Sequence, residues 1–176
     1  MVLNALEENV DDSDTIKKSL LKDIEVLNET VVKIKIEAIE KVTSLIYNSK
    51  RTYIIGFEST SRSIAGYYLR HCKPGDVVIG ISFGQGMRLT VDALKKVQAK
   101  GVTTVAITDS EVSPLLEFAD HKLVTAICGE FVYSSSVSAF SIANTIIQQF
   151  IKMGGEKSAT HLRELQQQMD DLNVWY

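Results

Sequence analysis

What this chain has little of narrows its function first. Its 176 residues carry only two cysteines, Cys72 and Cys128, with no C-x-x-C spacing, so they read as free thiols and not as metal ligands or a disulfide framework. Three histidines, His71, His121 and His161, follow no H-x-x-x-H spacing, and the pairs Asp11-Asp12 and Asp170-Asp171 read as solvated ends, so no metal and no cofactor is expected. Positive charge is not in excess: 19 Lys and Arg against 22 Asp and Glu leave a net charge of −3, and the basic residues are scattered. That pattern lacks the electrostatic footprint of a nucleic-acid binder. No apolar run approaches the roughly 18–20 residues that cross a bilayer, and the opening MVLNALEENVDDSD is acidic where a signal peptide is basic and then apolar. A cytoplasmic protein without membrane contact is expected. There is no internal repeat or low-complexity linker, and the length suits one domain with a sizeable core.

What is present centres on residues 75–110. Residues 76–82 form an almost uninterrupted apolar, β-branched run, the pattern of a strand buried on both faces, and it stops at the small-residue loop Ser82-Phe83-Gly84-Gln85-Gly86. Leu89, Ala93, Leu94 and Val97 then recur at helical steps, Gly101 stops the helix, and Thr103–Thr108 is apolar again. Strand, helix and strand in this order predict a parallel pair with a right-handed crossover. The loop feeds a helix N-terminus, where unpaired N–H groups and the helix dipole attract anions.

The remainder divides in order. Residues 1–13 are polar, acidic and aperiodic, and read as a frayed leader. Residues 14–49 form a helical segment in which Ile16, Leu20, Ile24, Leu27, Val31, Ile34, Ala38, Val42 and Leu45 step by three or four. A single helix of that reach would be about 50 Å long, and weak helix formers near residues 28–35 predict two helices, 14–32 and 36–49. The first stripe faces either this domain's own core or a second subunit. Residues 50–176 form the main domain. Thr52–Gly56 is a buried strand followed by the hydroxyl-rich loop Ser59, Thr60, Ser61, whose side chains either cap the next helix or share an anion site with the loop after Ser82. Later come a turn-rich loop at 109–114, a short helix at 115–119, a strand at 122–127, a largely buried helix at 133–153 stopped by Gly154-Gly155, and a polar helix at 158–172.

The strand at 77–82 with its glycine-bearing loop and Thr90, then Val105-Ala106-Ile107-Thr108, Ser113-Pro114-Leu115 and Ala119-Asp120, resembles the sugar isomerase (SIS) domain over residues 36–153. The long N-terminal helices and the serine-rich start of the 133–153 helix, after Gly129-Glu130, resemble the effector-binding half of RpiR-type transcriptional regulators. The resemblance implies a three-layer α/β/α sandwich around a parallel, flavodoxin-like, doubly wound sheet, with the N-terminal helices added. It also implies a sensor for a sugar phosphate or related anionic metabolite. In that family a helix-turn-helix domain precedes the SIS domain, and this chain is read as the sensor half alone, touching DNA only through a domain it lacks. The alternatives are an aldose-ketose isomerase, for which Glu130 is the candidate base, and a ligand-free dimerisation scaffold.

Several positions depart from the family pattern. Of the S-x-S-G-x-T phosphate loop, only the first hydroxyl survives in Ser82-Phe83-Gly84-Gln85-Gly86-Met87. Backbone N–H groups at Gly84 and Gly86 can still bind an anion, with Thr90 or Arg88 as further contacts. In the first loop Glu58 stands where the family has glycine, and Thr60, with Ser61 as alternative, matches the ligand serine. The implied ligand set is Ser59, Thr60, Ser61, Ser82, Gly84, Gln85, Gly86, Thr90 and Glu130. The family also places another strand and helix before the strand at 76, where only residues 70–75 intervene. A segment of about 25 residues is therefore expected to be missing between Leu69 and Pro74, leaving Thr52–Gly56 as an apolar edge. A homodimer through the N-terminal helices and part of the 133–153 helix is expected from their excess apolar surface.

Overall fold

Four short β-branched runs build the sheet in the computed structural model, which describes residues 12–56, 69–83, 87–126, 135–172 and 174. Strands β1 (Thr52–Gly56), β2 (Val77–Ile81), β3 (Thr103–Thr108) and β4 (His121–Val124) are all parallel, and lie side by side in the order β1-β2-β3-β4. One row of the register runs Ile54, Ile79, Val105, His121. Strand β4 covers His121–Val124, shorter than the predicted 122–127 run, whose last residue lies outside the described residues. The Thr125 N–H still reaches Thr108 O at 2.8 Å, and the Ala126 N–H, which faces away from β3, donates to the Thr30 hydroxyl at 3.1 Å and ties α1 to this end of the strand.

Helices cover both faces, as three layers require. On one side α3 (Arg88–Gln98) and a 3₁₀ turn at Pro114–Phe118 cover β2 and β3, so that Val78, Ala106, Leu94, Val97 and Leu115 form one core. On the other, α2 (Ile36–Asn48) and the first half of α4 (Val137–Asp171) pack Ile39, Val42, Ile142 and Ile146 against Val77, Ile79, Val105, Ile107 and Leu123. Helix α1 (Asp12–Lys33) begins two residues earlier than predicted and ends beside the expected break. It buries Val26 and Thr30, whereas Leu20, Ile24 and Val31 of the predicted stripe are exposed, so that stripe does not serve this chain's own core. Helix α4 runs through Gly154 and kinks at Gly155 (φ 52°, ψ −132°), a conformation suited to glycine, so the predicted stop is a bend between two helices. Only one stripe of its first half is buried, Ser138, Ile142 and Ile146. Phe140 and Ile147 are exposed, so the helix is less buried than its composition predicts.

The residues of the Ser113-Pro114-Leu115 and Ala119-Asp120 motifs hold the fold. Ser113 Oγ accepts from Leu115 N and starts the 3₁₀ turn, and Leu115 is fully buried. Asp120 Oδ2 accepts from Thr104 N at 2.8 Å and from Thr104 Oγ1 at 2.9 Å, while Asp120 N donates back to Thr104 Oγ1 at 3.1 Å. This reciprocal clasp fixes the entry of β4 against β3. Before β2 the chain closes in a tight turn: Cys72 N donates to Leu69 O, Lys73 N to Asp76 Oδ2 and Asp76 N to Lys73 O, with Gly75 at φ 96°. Among the described residues no strand lies outside β1, whose Ile54 is 67% exposed.

Candidate functional site

The carboxyl ends of parallel strands gather the loops that precede helices, and here they gather hydroxyls. Ser82 follows β2 and is buried. Its N–H donates to Ile107 O at 3.1 Å, anchoring it to β3, and its Oγ accepts from Met87 N at 2.8 Å, closing the loop that carries residues 84–86. The hydroxyl keeps its own proton to donate. Helix α3 then starts at Arg88 with Met87 as N-cap; the Met87 side chain makes no capping hydrogen bond, and no acidic residue stands in the first turn. Such a first turn leaves backbone N–H groups and the positive end of the dipole for an anion.

Thr90 sits in that first turn. It is fully buried, and its Oγ1 has no hydrogen-bond partner among the described residues. A threonine in a helix often returns its hydroxyl to a carbonyl three or four residues back; here the carbonyl three back, Met87 O, accepts from the N–H groups of Thr90 and Val91. Leaving such a hydroxyl unpaired costs about 1–3 kcal/mol, a cost that a ligand oxygen at this position would remove. Arg88, by contrast, is exposed, its Nε 3.8 Å from Asp92 Oδ2 in an ion pair open to solvent.

Gly80 faces α3 and the 3₁₀ turn: a Cβ there would lie 3.4 Å from both Leu94 and Leu115, already in contact, and a larger side chain would press on them. The backbone at the end of β2 and the first turn of α3 are thus fixed relative to each other by packing, with Leu94 fully buried.

A second group of hydroxyls continues the carboxyl-end rim past β4. Thr30 Oγ1 donates to Val26 O at 2.8 Å and accepts from Ala126 N; Ser138 Oγ donates to Ala126 O at 2.8 Å and lies 3.4 Å from Thr125 Oγ1; Ser135 Oγ donates to Asp23. Sequence reasoning missed Thr30, Thr125 and Ser138, because these residues meet only in the folded chain. They clamp α1 and the start of α4 onto the end of β4.

Of the expected ligand residues, the structure places Ser82 and Thr90 at the two ends of one loop. Ser59, Thr60, Ser61, Gly84, Gln85, Gly86 and Glu130 lie outside the described residues. Cys128 does too, while Cys72 is a buried free thiol whose burial, with Asp76 nearby, pushes its pKa up and keeps it protonated.

Comparison with known proteins agrees with this geometry. The sugar isomerase domain of an RpiR transcription factor from Sphaerobacter thermophilus superposes with a TM-score of 0.79 at 27% identity, covering 86% of this chain and 98% of that one. The NanR protein of Vibrio vulnificus, in a structure complexed with ManNAc-6P, has the same fold with a TM-score of 0.73 at 15% identity, over 97% of this chain and 73% of that one. By sequence, an HTH-type transcriptional regulator of Clostridium perfringens is 23% identical over 79% of this chain and 56% of its own length, and one of Haemophilus influenzae is 26% identical over 65% and 48%. The chain thus spans about half the length of these regulators. No helix among the described residues is long and apolar enough to cross a membrane. The family model of the SIS domain matches residues 59–153, more than half of the chain, and this protein belongs to the SIS domain family.

Proposed function

We propose that this chain is the sensor module of an RpiR-type transcriptional regulator, that it binds a phosphorylated sugar, and that it acts as a homodimer in the cytoplasm. The observation that carries the reading is the first turn of α3: a helix start free of acidic residues, tied through Met87 N to Ser82, that holds the buried Thr90 hydroxyl without a partner among the described residues. A phosphate there would take up N–H groups and the hydroxyl together. The ManNAc-6P carried by the NanR structure and the HTH-type regulators among the relatives support this reading. DNA contact is assigned to a domain outside this sequence.

Thermal-shift screening with a panel of sugar phosphates tests the proposal, since a ligand that binds only the folded state raises the melting temperature. Stabilisation without turnover in a coupled aldose-ketose isomerase assay is the expected result. Turnover that disappears in Glu130→Gln would replace the sensor with an isomerase, and no response to any sugar phosphate would leave only a dimerisation scaffold.

A further inference from the structure

Strand β1 is the edge of the sheet among the described residues, and its backbone is directed by the parallel ladder. Arg51 O accepts from Val77 N at 2.9 Å, and Thr52 pairs with Val77 in the register. Alternate residues of a parallel strand turn their backbone groups the same way, so Arg51, Tyr53 and Ile55 serve β2, while the N–H and C=O groups of Thr52, Ile54 and Gly56 point outward. Soluble proteins blunt such edges with charge, proline or a bulge. Residues 52–56 carry neither charge nor proline, and all five pair in unbroken register with β2.

Beside this edge, on the face covered by α2 and α4, lies an apolar cavity of about 290 Å³, lined by Ile54, Ile79, Ile46, Ile147 and Phe150 among others. Ile54 is 67% and Ile147 55% exposed. An open polar backbone edge and an open apolar groove thus meet at one residue, Ile54.

We infer that β1 pairs antiparallel with β1 of a second copy across a two-fold axis at Ile54, joining two four-stranded sheets into one of eight strands. The outward groups decide the register. With Ile54 on the axis, Ile54 faces Ile54, and Thr52 faces Gly56 in both directions, so every outward N–H meets an outward C=O. The flanking charges favour the same arrangement. Lys50 and Arg51, both exposed, precede the strand, and reversal sets the basic ends of the two copies apart. A parallel neighbour would align like charges. Both Ile54 side chains fall on the groove face, where they cover each other and the groove lined by Ile147 and Phe150. The inference rests on the homodimer proposed above for its stoichiometry, and assigns the contact to β1 instead of the exposed α1 stripe.

Cysteine cross-linking and sedimentation test it together. Residues facing each other in a hydrogen-bonded antiparallel pair lie about 5.5 Å apart between Cα atoms, within the range a disulfide spans. Ile54→Cys is expected to give a covalent dimer on mild oxidation, above the background of the wild-type chain with Cys72 and Cys128, and Val31→Cys on the α1 stripe is expected to give none. Ile54→Lys changes an exposed side chain and is expected to sediment as a folded monomer with its far-ultraviolet dichroism unchanged. If Ile54→Lys remains a dimer and Val31→Cys cross-links in place of Ile54→Cys, the edge pairing is overturned while the homodimer stands. A wild-type monomer at tens of micromolar overturns both.

Discussion

The two faces of the sheet are finished to different degrees. Under α3 and the 3₁₀ turn the core is closed: Leu94 and Leu115 have no exposed surface, and Val97 has 1%. Under α2 and α4 the core is equally dry over β3 and β4 but opens toward β1, where Ile54, Ile147 and the 290 Å³ groove remain uncovered. The closed face is built from β2, α3, β3 and the 3₁₀ turn, consecutive pieces of chain that bury one another with short connections. The open face joins α2 and α4, elements from opposite ends of the sequence, to a strand that has no neighbouring strand on its outer side among the described residues. The closed face holds the start of α3 in place, and the open one presents a surface for association.

Substitutions should separate these roles. The largest effect is expected on the closed face, where Leu115→Ala removes a fully buried side chain and should cost about 3–5 kcal/mol of unfolding free energy in a denaturant titration. Next, Gly80→Val should cost about 1–3 kcal/mol by pushing α3 off the sheet. Because the push reaches the first turn of α3, it should also weaken sugar-phosphate binding, measured on protein shown to be folded. Thr30→Val leaves the buried Ala126 N–H without its acceptor and should cost about 1–3 kcal/mol, read as a lowered melting temperature. The smallest effect is expected at the open edge: Ile54→Ala should change unfolding free energy by no more than about 0.5 kcal/mol at concentrations where the chain is monomeric. A cost there as large as that of Leu115→Ala would show that the edge is part of the monomer's own core and erase the contrast.

The strands were legible in the sequence because β-branched runs bounded by turn residues leave few other structures open, and the helix break near Lys35 and the bend at Gly155 were marked by weak helix formers and glycine. The end of β4 was not legible. There the Thr30 hydroxyl takes the Ala126 N–H across 96 positions of the chain and ties α1 to the strand, and no local pattern carries such a pairing. The same holds for the exposure of Phe140 and Ile147, since an apolar stripe looks alike whether it meets its own sheet or nothing. At the site, the small-residue loop and the helix start were readable from residue types, and Ser82 and Thr90 lie at its two ends. That the Thr90 hydroxyl has no partner among the described residues became visible only in three dimensions, because a threonine in a helix ordinarily finds a carbonyl.

The central claim is that the first turn of α3, with Thr90, binds the phosphate of a sugar, and calorimetric titration of wild-type protein and Thr90→Val tests it most directly. The titrants are a panel of sugar phosphates and the corresponding unphosphorylated sugars. Valine keeps the shape and removes a hydroxyl that has no partner among the described residues, so the variant should be at least as stable as wild type. The account predicts that a phosphorylated sugar binds wild type, that its unphosphorylated form does not, and that Thr90→Val binds at least about tenfold more weakly, the loss of one hydrogen bond to a charged group. Equal affinity of the two proteins, or of the two forms of the sugar, would contradict it.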